Sequence, residues 1–141
     1  MRKTIILGMC DPSGTEPLGI DDVPKGAAGY RLWKFSGLTK TAWLRSFDRR
    51  NILPDAKWDR TRARIHADAF RHHHRNRTVI VLGDEAWRAL GFRRKKPTEG
   101  IATGKSGCYY YFVPHPSGRN LWYNDAANRL RVGRLLRSFS R

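Results

Sequence analysis

His115 is the residue whose surroundings best suit chemistry. It stands between Pro114 and Pro116, directly after the apolar and aromatic run of residues 109–113. Each proline ring fixes its own φ angle, and Pro116 also pushes His115 toward an extended conformation. The imidazole is therefore presented with little freedom at the end of a predicted strand, where it can take part in proton transfer or hydrogen bonding. The structural alternative is a proline-rich turn that contains an incidental histidine.

A second polar segment follows the first apolar run of the chain. Residues 4–9 have the pattern of a short buried strand, and Cys10, Asp11 and Pro12 come next. These residues open a loop that extends to Gly29 and carries proline and glycine turn signals. Compact domains seldom keep a loop of this length without a functional use. The sequence therefore predicts a structured, functional loop after the first strand.

Apolar runs and helical patterns alternate along the chain. We predict strands at residues 4–9, 78–83 and 108–113, and helices at residues 30–35, 41–47, 59–74, 85–90 and 126–138. Buried strands that alternate with helices indicate an α/β fold whose parallel sheet is covered on both faces. In such sheets ligands bind outside the carboxyl ends of the strands. The loops that follow the three strands are therefore expected to meet at one cleft.

Local signals refine two of these helices. In the helix at 59–74, which is polar nearly all round, the predicted inward stripe consists of Ile65, Ala69 and Phe70. Asp84 is the predicted N-terminal cap of the next helix.

The composition suits one domain with a polyanionic partner. The chain has 141 residues, of which 40% are apolar, so we expect one core and a single domain over 1–141. Its 28 Lys and Arg against 12 Asp and Glu give a formal charge of +16, for which a nucleic acid is the natural partner. No apolar run approaches about 18 residues, and the N-terminus lacks a signal-type segment. We therefore expect a soluble, cytoplasmic protein that does not bind membranes.

The spacing of the cysteines and histidines does not match that of a metal-binding motif. Cys10 and Cys108 are far apart, and neither belongs to a CxxC pair, which argues against a disulfide scaffold or a zinc finger. The three histidines at 72–74 are flanked by arginines and have no acidic or sulfur ligand nearby. We interpret them as a solvated helix end, and we expect no metal or cofactor.

The Gly-Lys-Ser run at residues 104–106 is not a phosphate loop. The full pattern needs a glycine at position 99, where Glu99 stands, and the run precedes a strand instead of following one. It is better interpreted as a flexible basic loop that continues from residues 93–96 and contacts phosphates through Lys105.

Two motifs together resemble those of the uracil-DNA glycosylase superfamily. They are residues 8–12, Gly-Met-Cys-Asp-Pro, after the first strand, and residues 115–118, His-Pro-Ser-Gly, after the last. Residues 30–33, Tyr-Arg-Leu-Trp, are similar to the Asn-Arg-Phe-Trp helix of the mismatch-specific uracil/thymine branch, and residues 47–54 are similar to the segment with the family's base-reading asparagine. The resemblance covers most of the chain, and compact phage and bacterial members look most like it. It implies a three-layer α/β/α sandwich with a central, mainly parallel four-stranded sheet.

The resemblance also implies an activity and assigns roles. The family hydrolyses the N-glycosidic bond of uracil or a related damaged or modified base once the nucleotide has left the DNA stack. By resemblance His115 would donate to the departing base, Asp11 would orient or activate the attacking water, and Asn51 would read the edge of the base. Arg119 would fill the gap in the duplex, with Leu121 as the alternative wedge.

Further contacts follow from the same resemblance. Loop residues beside the two motifs would hold the DNA backbone or the flipped base: Pro12, Ser13, Lys105, Ser117, Gly118 and Asn120 for the DNA, and Met9 and Tyr30 for the base. We expect a monomer that acts on single- or double-stranded DNA.

Two positions of the family pattern stay open. Counting forward from the first-motif glycine places Cys10 at the water-activating position, whereas counting back from the proline selects Asp11. Val23 stands where an aromatic residue that stacks on the base is expected, so Tyr30 or Trp33 would have to substitute.

Three functions are compatible with these residues. The first is a monofunctional DNA glycosylase. The second is a DNA-binding protein that keeps the scaffold without turnover, such as a decoy, an inhibitor or a reader of modified bases. The third is an enzyme that exchanges or hypermodifies bases, since the same bond and the same charge stabilisation would serve.

Overall fold

Runs of apolar residues, many of them β-branched or aromatic, form the central strands of one five-stranded sheet. The computed structural model describes residues 2–10, 16–23, 25–55, 57–103 and 108–141. Its elements follow in the order β1 (Thr4–Gly8), α1 (Ala28–Ser36), α2 (Lys40–Ser46), β2 (Phe47–Asn51), α3 (Arg60–His73), β3 (Thr78–Leu82), α4 (Asp84–Ala89), β4 (Gly100–Thr103), β5 (Cys108–Val113), a 3₁₀ turn (Leu121–Asn124) and α5 (Ala126–Ser138).

Four of the five strands run parallel. The strand order is β2-β1-β3-β5-β4, and only β4, at one edge, pairs antiparallel, with β5. The register places Gly8 opposite Asn51 and Leu82 opposite Val113. The last residues of β1, β2, β3 and β5 therefore lie along the same edge of the sheet, which we call the carboxyl edge.

Helices cover both faces of the sheet. Because alternate residues of a strand point to opposite faces, Ile5 and Leu7 pack beneath α3 and α4, whereas Ile6 packs beneath α1, α2 and α5. Trp87 of α4 and Trp43 of α2 are the largest buried side chains of the two layers. Each fully buried Ile or Leu side chain of these layers contributes about 1.5–3 kcal/mol through apolar burial. The predicted α/β fold, with a mainly parallel sheet covered on both faces, is confirmed.

The predicted number of strands was wrong, because the sheet has five strands instead of four. The central strands β1, β3 and β5 were recognised from their apolar runs, and the two edge strands were not. β2 has the sequence Phe-Asp-Arg-Arg-Asn, and its arginines bind Glu16 and Asp48. An edge strand needs a backbone partner on one side only and can carry polar side chains, so it shows no continuous apolar run.

The predicted inward stripe of α3 was wrong in part. Phe70 packs inward as predicted, but the other inward residues are Ala63 and Ala67, whereas Ile65 is 66% exposed and Ala69 is exposed. Small residues let α3 lie close to the sheet and α4, so the buried stripe is the one with the smaller side chains.

The cap of α4 differs from the prediction as well. Gly83 occupies the cap position, and Asp84 is the first residue of the helix, where its carboxylate binds Lys95 with an N···O distance of 2.5 Å. A carboxylate in the first turn still interacts favourably with the helix dipole.

No helix in the described ranges is both long enough and apolar enough to span a membrane.

The corrected stripe of α3 can be tested by stability measurements. Ala67→Leu is expected to lower the free energy of unfolding by about 1–3 kcal/mol, because Ala67 is fully buried and a larger side chain overpacks the layer. Ile65→Ala is expected to change it by less than about 0.5 kcal/mol, because Ile65 faces solvent. Urea denaturation measures both. If Ile65→Ala instead lowered the free energy of unfolding by more than about 2 kcal/mol, Ile65 would be buried, as the sequence predicted.

Candidate active site

The carboxyl edge of the sheet collects the residues that the sequence singled out. Neighbouring strands are about 4.8 Å apart, so the ends of β5 and β1 lie roughly 10 Å apart, with β3 between them and β2 one strand farther on. Helices α3, α4 and α5 also begin at this edge, each after the strand that precedes it. Their N-termini carry partial positive charge, which favours anionic ligands.

The loop that carries His115 is fixed by three hydrogen bonds, one of which comes from a residue far away in the sequence. The Nε atom of Arg31 in α1 donates to the carbonyl oxygen of Pro116 at 2.9 Å. The amide of Asn120 donates to the carbonyl oxygen of His115 at 2.9 Å, and the buried hydroxyl of Tyr123 donates to the carbonyl oxygen of Pro114. Three successive carbonyl groups are thus held in place, so the backbone around the imidazole is preorganised.

The His115 ring packs against the end of β3. A Cβ atom at Gly83 would lie 3.1 Å from the Cβ atom and 3.5 Å from the Cδ2 atom of His115, and Gly83 has a φ of +90°. A larger residue would be strained by this φ and would push the imidazole away. Gly83 therefore sets how closely His115 approaches the start of α4.

The hydrogen bonds of His115 assign its tautomer. The backbone N–H of Ser117 donates to the Nδ1 atom of His115 at 3.3 Å. In a neutral imidazole the proton is then on Nε2, which makes that atom a hydrogen-bond donor. Burial of the ring lowers the pKa of His115 below its usual value, so the neutral form prevails at pH 7. The site therefore presents a neutral N–H donor.

Asn51 lies at the carboxyl edge as the last residue of β2, opposite Gly8. Its Oδ1 atom is buried and accepts no hydrogen bond from the described part of the chain. A Cβ atom at Gly8 would lie 2.6 Å from that oxygen, so the amide is seated directly on the glycine backbone. A buried acceptor without a donor costs about 1–3 kcal/mol, and a ligand N–H would relieve this cost.

The end of β1 leads into the first motif. The carbonyl oxygen of Met9 accepts the backbone N–H of Leu53 at 2.9 Å, and both Met9 and Cys10 are partly buried against the α3/α4 core. The two residues therefore enter the site edge at a defined position beside Asn51. The predicted site residues Asp11, Pro12, Ser13 and Lys105 lie outside the described residues.

The remaining residues of the His115 loop differ in exposure. Gly118 and Arg119 are exposed, Ser117 is half-buried, and Leu121 is 77% exposed. Both polar atoms of the Asn120 side chain form hydrogen bonds. Its Nδ2 atom donates to the carbonyl oxygen of His115, and its Oδ1 atom accepts the backbone N–H of Trp122 at 3.1 Å. These hydrogen bonds of Asn120 position His115 and begin the 3₁₀ turn.

Tyr30 is in the first turn of α1. Its ring contacts the ring of Trp33 edge-on, with 6.0 Å between centroids, and the Nζ atom of Lys34 lies 5.6 Å from its centroid. These aromatic and cation contacts are within its own helix. The N-terminus of α1 is nevertheless close to the second motif, since the N–H of Gly118 donates to the carbonyl oxygen of Gly26 at 3.3 Å.

Sequence reasoning did not identify three residues that position the imidazole: Gly83, Arg31 and Tyr123. Arg31 acts on a carbonyl group 85 residues away, so its role has no local signal. Gly83 was placed only as a strand end, although a glycine between a buried strand and a helix is a recognisable site of close approach.

In the described ranges no metal site is present, and His115 does not line the cavity described next. No group of three or more His, Cys, Asp or Glu side chains in them is placed to hold a metal ion. A cavity of about 230 Å³ lies instead between α4 and β4, lined by Trp87, Arg94, Lys95, Lys96, Glu99, Gly100 and Ile101. The hydrogen-bonding geometry, and not this cavity, therefore defines the candidate active site.

No protein-family model matches this sequence, and no curated protein sequence is significantly similar to it. The carboxyl-edge geometry and the two motifs are thus the basis for assigning a function.

The pH dependence of stability tests the environment of His115. Because its folded pKa is lower than that of the unfolded chain, the unfolded chain binds more protons below about pH 6.5, and stability falls as the pH falls. Replacing His115 by glutamine removes this contribution. Between about pH 7.5 and 5 the wild type is expected to lose more stability than His115→Gln, by at most about 1.4 kcal/mol per pH unit.

Urea denaturation at several pH values provides the measurement. His74, whose pKa is also lowered chiefly by burial, contributes equally to both proteins and cancels in the difference. Parallel stability curves for the two proteins would show that the His115 ring is solvated.

Proposed function

We propose that this protein is a monofunctional DNA glycosylase of the uracil-DNA glycosylase superfamily, which hydrolyses the N-glycosidic bond of uracil or a related modified base. One observation carries the proposal: the His115 imidazole, whose Nδ1 atom accepts a backbone N–H and leaves Nε2 as the donor, is fixed at the same sheet edge as a buried Asn51 oxygen that has no donor in the described ranges. The order of the two motifs along the chain agrees with this assignment.

The chemistry needs a donor where the base departs. As the bond between C1′ and the base nitrogen breaks, its electron pair goes to the base and the sugar gains oxocarbenium character. The Nε2–H of His115 would hydrogen-bond the base oxygen on which negative charge accumulates. Because the ring is already fixed by its loop, this donor needs no reorganisation during the reaction, and such a donor is worth about 2.7–4 kcal/mol of barrier.

Asn51 suits recognition of an imide edge. Uracil presents an N–H group between two carbonyl oxygens, and the Oδ1 atom of Asn51 would accept that N–H while its Nδ2 atom donates to a neighbouring carbonyl. Cytosine lacks this proton and would leave the buried oxygen unpaired. The edge becomes available only once the nucleotide leaves the stack.

Water attack on C1′ completes the reaction. Asp11 would orient the water and accept its proton as the new bond to oxygen forms, with Cys10 as the alternative group at this place. The carboxylate is the better base for this step, because a cysteine thiol is neutral near pH 7 at its usual pKa.

DNA would be held by the loop around the second motif. Arg119 or the exposed Leu121 would enter the gap left by the flipped nucleotide, and the Ser117 hydroxyl group and the exposed backbone at Gly118 would contact the flanking DNA backbone. Pro12, Ser13 and Lys105 would add contacts from the other loops.

A DNA-binding protein without turnover is the second candidate. Val23, which is 77% exposed, stands at the position where a stacking aromatic residue is expected, and the ring of Tyr30 packs within α1. Loss of a stacking interaction removes roughly 1–3 kcal/mol per base. A reader of modified bases would keep the binding geometry and release no base.

Base release from defined oligonucleotides tests the proposed activity. Oligonucleotides that carry uracil, a thymine mismatch, hypoxanthine or hydroxymethyluracil are incubated with the protein, and abasic sites are cleaved with alkali. We expect cleavage of at least one substrate, and a rate loss of about 10²–10³-fold for His115→Ala because one preorganised donor is removed. His66→Ala, an exposed histidine on α3, is the matched control and should retain the wild-type rate.

The outcomes separate the two candidates. Absence of abasic sites with every substrate, together with binding that His115→Ala leaves unchanged, would favour the reader over the enzyme. Equal rates for His115→Ala and the wild type would contradict the assigned role of the imidazole.

The seating of Asn51 on Gly8 gives a second test. Gly8→Ala would place a methyl group 2.6 Å from the Oδ1 atom of Asn51, so the amide must move. We expect kcat/KM to fall at least about tenfold, equivalent to about 1.4 kcal/mol. Gly19→Ala is the control, because among the described residues its added methyl group would meet only the carbonyl oxygen of Glu16, at 3.7 Å. Equal kcat/KM for the two folded variants would show that Asn51 does not read the base.

A further inference from the structure

The segment between α4 and β4 concentrates unpaired positive charge. Arg93, Arg94 and Lys96 are exposed, and the charged groups of these three side chains form no hydrogen bond or ion pair within the described ranges. They lie within four consecutive positions, where like charges repel one another in the folded chain. Glu99 is the carboxylate that lines the cavity beside them. The local excess of positive charge therefore favours an anionic partner.

Several other arginines of this protein are used differently. The guanidinium of Arg71 donates to the carbonyl oxygen of Leu90 at 2.8 Å, and that of Arg137 donates to the carbonyl oxygen of Ser36 at 2.9 Å. Such arginines join elements within the fold. The three cations between α4 and β4 have no corresponding structural role in the ranges that the structure describes.

The backbone of this segment is firmly held. The indole N–H of Trp87 donates to the carbonyl oxygen of Arg94 at 2.9 Å, and Arg131 of α5 donates to the carbonyl oxygen of Pro97 at 3.0 Å. The ammonium group of Lys95 binds Asp84. Side chains on such a backbone are presented from fixed positions, which lowers the ordering cost of binding.

The segment ends in a strained residue. Thr98 has a φ of +65°, which is unfavourable for a β-branched side chain. Its backbone N–H donates to the carbonyl oxygen of Phe112 at 2.8 Å, which holds this conformation. The fold thus retains an unfavourable corner between residues 93–97 and β4, beside the end of β5.

The same hydrogen bonds and ion pair place the segment beside the candidate active site. Phe112 is near the end of β5, the strand that leads into His115, and Asp84 directly follows Gly83, on which the His115 ring packs. The cationic segment therefore flanks the imidazole loop on the β4 side. The cavity of about 230 Å³ between α4 and β4 makes this surface concave.

We propose that Arg93, Arg94 and Lys96 form a phosphate-binding surface, the basic rim, that holds the DNA backbone next to the nucleotide in the active site. The identity of the polyanion as DNA rests on the proposed function. Binding to the basic rim requires no base release, so it can be measured independently of catalysis.

Salt-dependent binding to an unmodified DNA duplex tests the basic rim. The rim variant carries Arg93→Ala, Arg94→Ala and Lys96→Ala. The control variant carries Arg2→Ala, Arg75→Ala and Arg141→Ala, which removes the same charge from exposed residues near the opposite edge of the sheet. The plot of log K against log salt concentration is expected to become less steep by about 2.7 for the rim variant, at about 0.9 for each phosphate that is no longer neutralised. The control should keep the wild-type slope.

Three single-substitution variants provide a test that remains valid if the triple variant does not fold. Each of the three changes alone is expected to reduce the slope by about 0.9, and thermal melting verifies that every variant is folded. Equal slopes for the rim and control variants would overturn the basic rim.

The base-release assay separates this proposal from the proposed function. A reduced slope for the rim variant with no base released by the wild type from any oligonucleotide would support the rim and contradict the glycosylase. Base release by the wild type with an unchanged slope for the rim variant would support the glycosylase and contradict the rim.

Discussion

Parallel pairing of β1, β2, β3 and β5 is the constraint on which the rest of the structure depends. Parallel hydrogen bonding aligns the carboxyl ends of these strands, so residues as distant in sequence as Gly8, Asn51 and His115 reach one edge of the sheet. Apolar layers on both faces hold this pairing in register, because a one-residue slip would turn Ile5 and Ile6 toward the wrong layers. The chemistry proposed for the edge is thus a consequence of how the interior packs.

Preorganisation at His115 depends on atoms that do not react. Arg31, Asn120 and Tyr123 each bind a carbonyl group of the loop, and Gly83 lets the ring approach α4. The N–H of Ser117 selects the tautomer and burial favours the neutral ring. A neutral donor suits a leaving group that departs as an anion, because a hydrogen bond stabilises the charge where it forms without requiring full proton transfer.

The large positive charge has two physical roles in this molecule. A formal charge of +16 would suggest a uniformly basic surface, yet Arg71, Arg129 and Arg137 place their guanidinium groups on backbone carbonyl oxygens of other segments. Carbonyl groups at element ends lack partners within their own element, and a guanidinium satisfies them at long reach. Net charge alone therefore overstates the part of the surface that is available to a polyanion. The informative cations are those beside the candidate active site that have no partner in the described ranges.

The sequence by itself determined the three central strands, the helices, the α/β class and the position of His115 at a strand end, because each depends on local apolar periodicity or proline stiffness. It did not reveal β2 and β4, whose polar or short sequences become strands only when a neighbouring strand supplies hydrogen-bond partners. It placed Ile65 inward on α3, whereas close packing selected Ala63 and Ala67. Only the tertiary structure decided three contacts. Arg31 donates a hydrogen bond to the carbonyl oxygen of Pro116, the His115 ring packs against Gly83, and the side chain of Asn51 packs against Gly8. Such interactions join distant parts of the chain and depend on distances of a few ångströms, which no local pattern encodes.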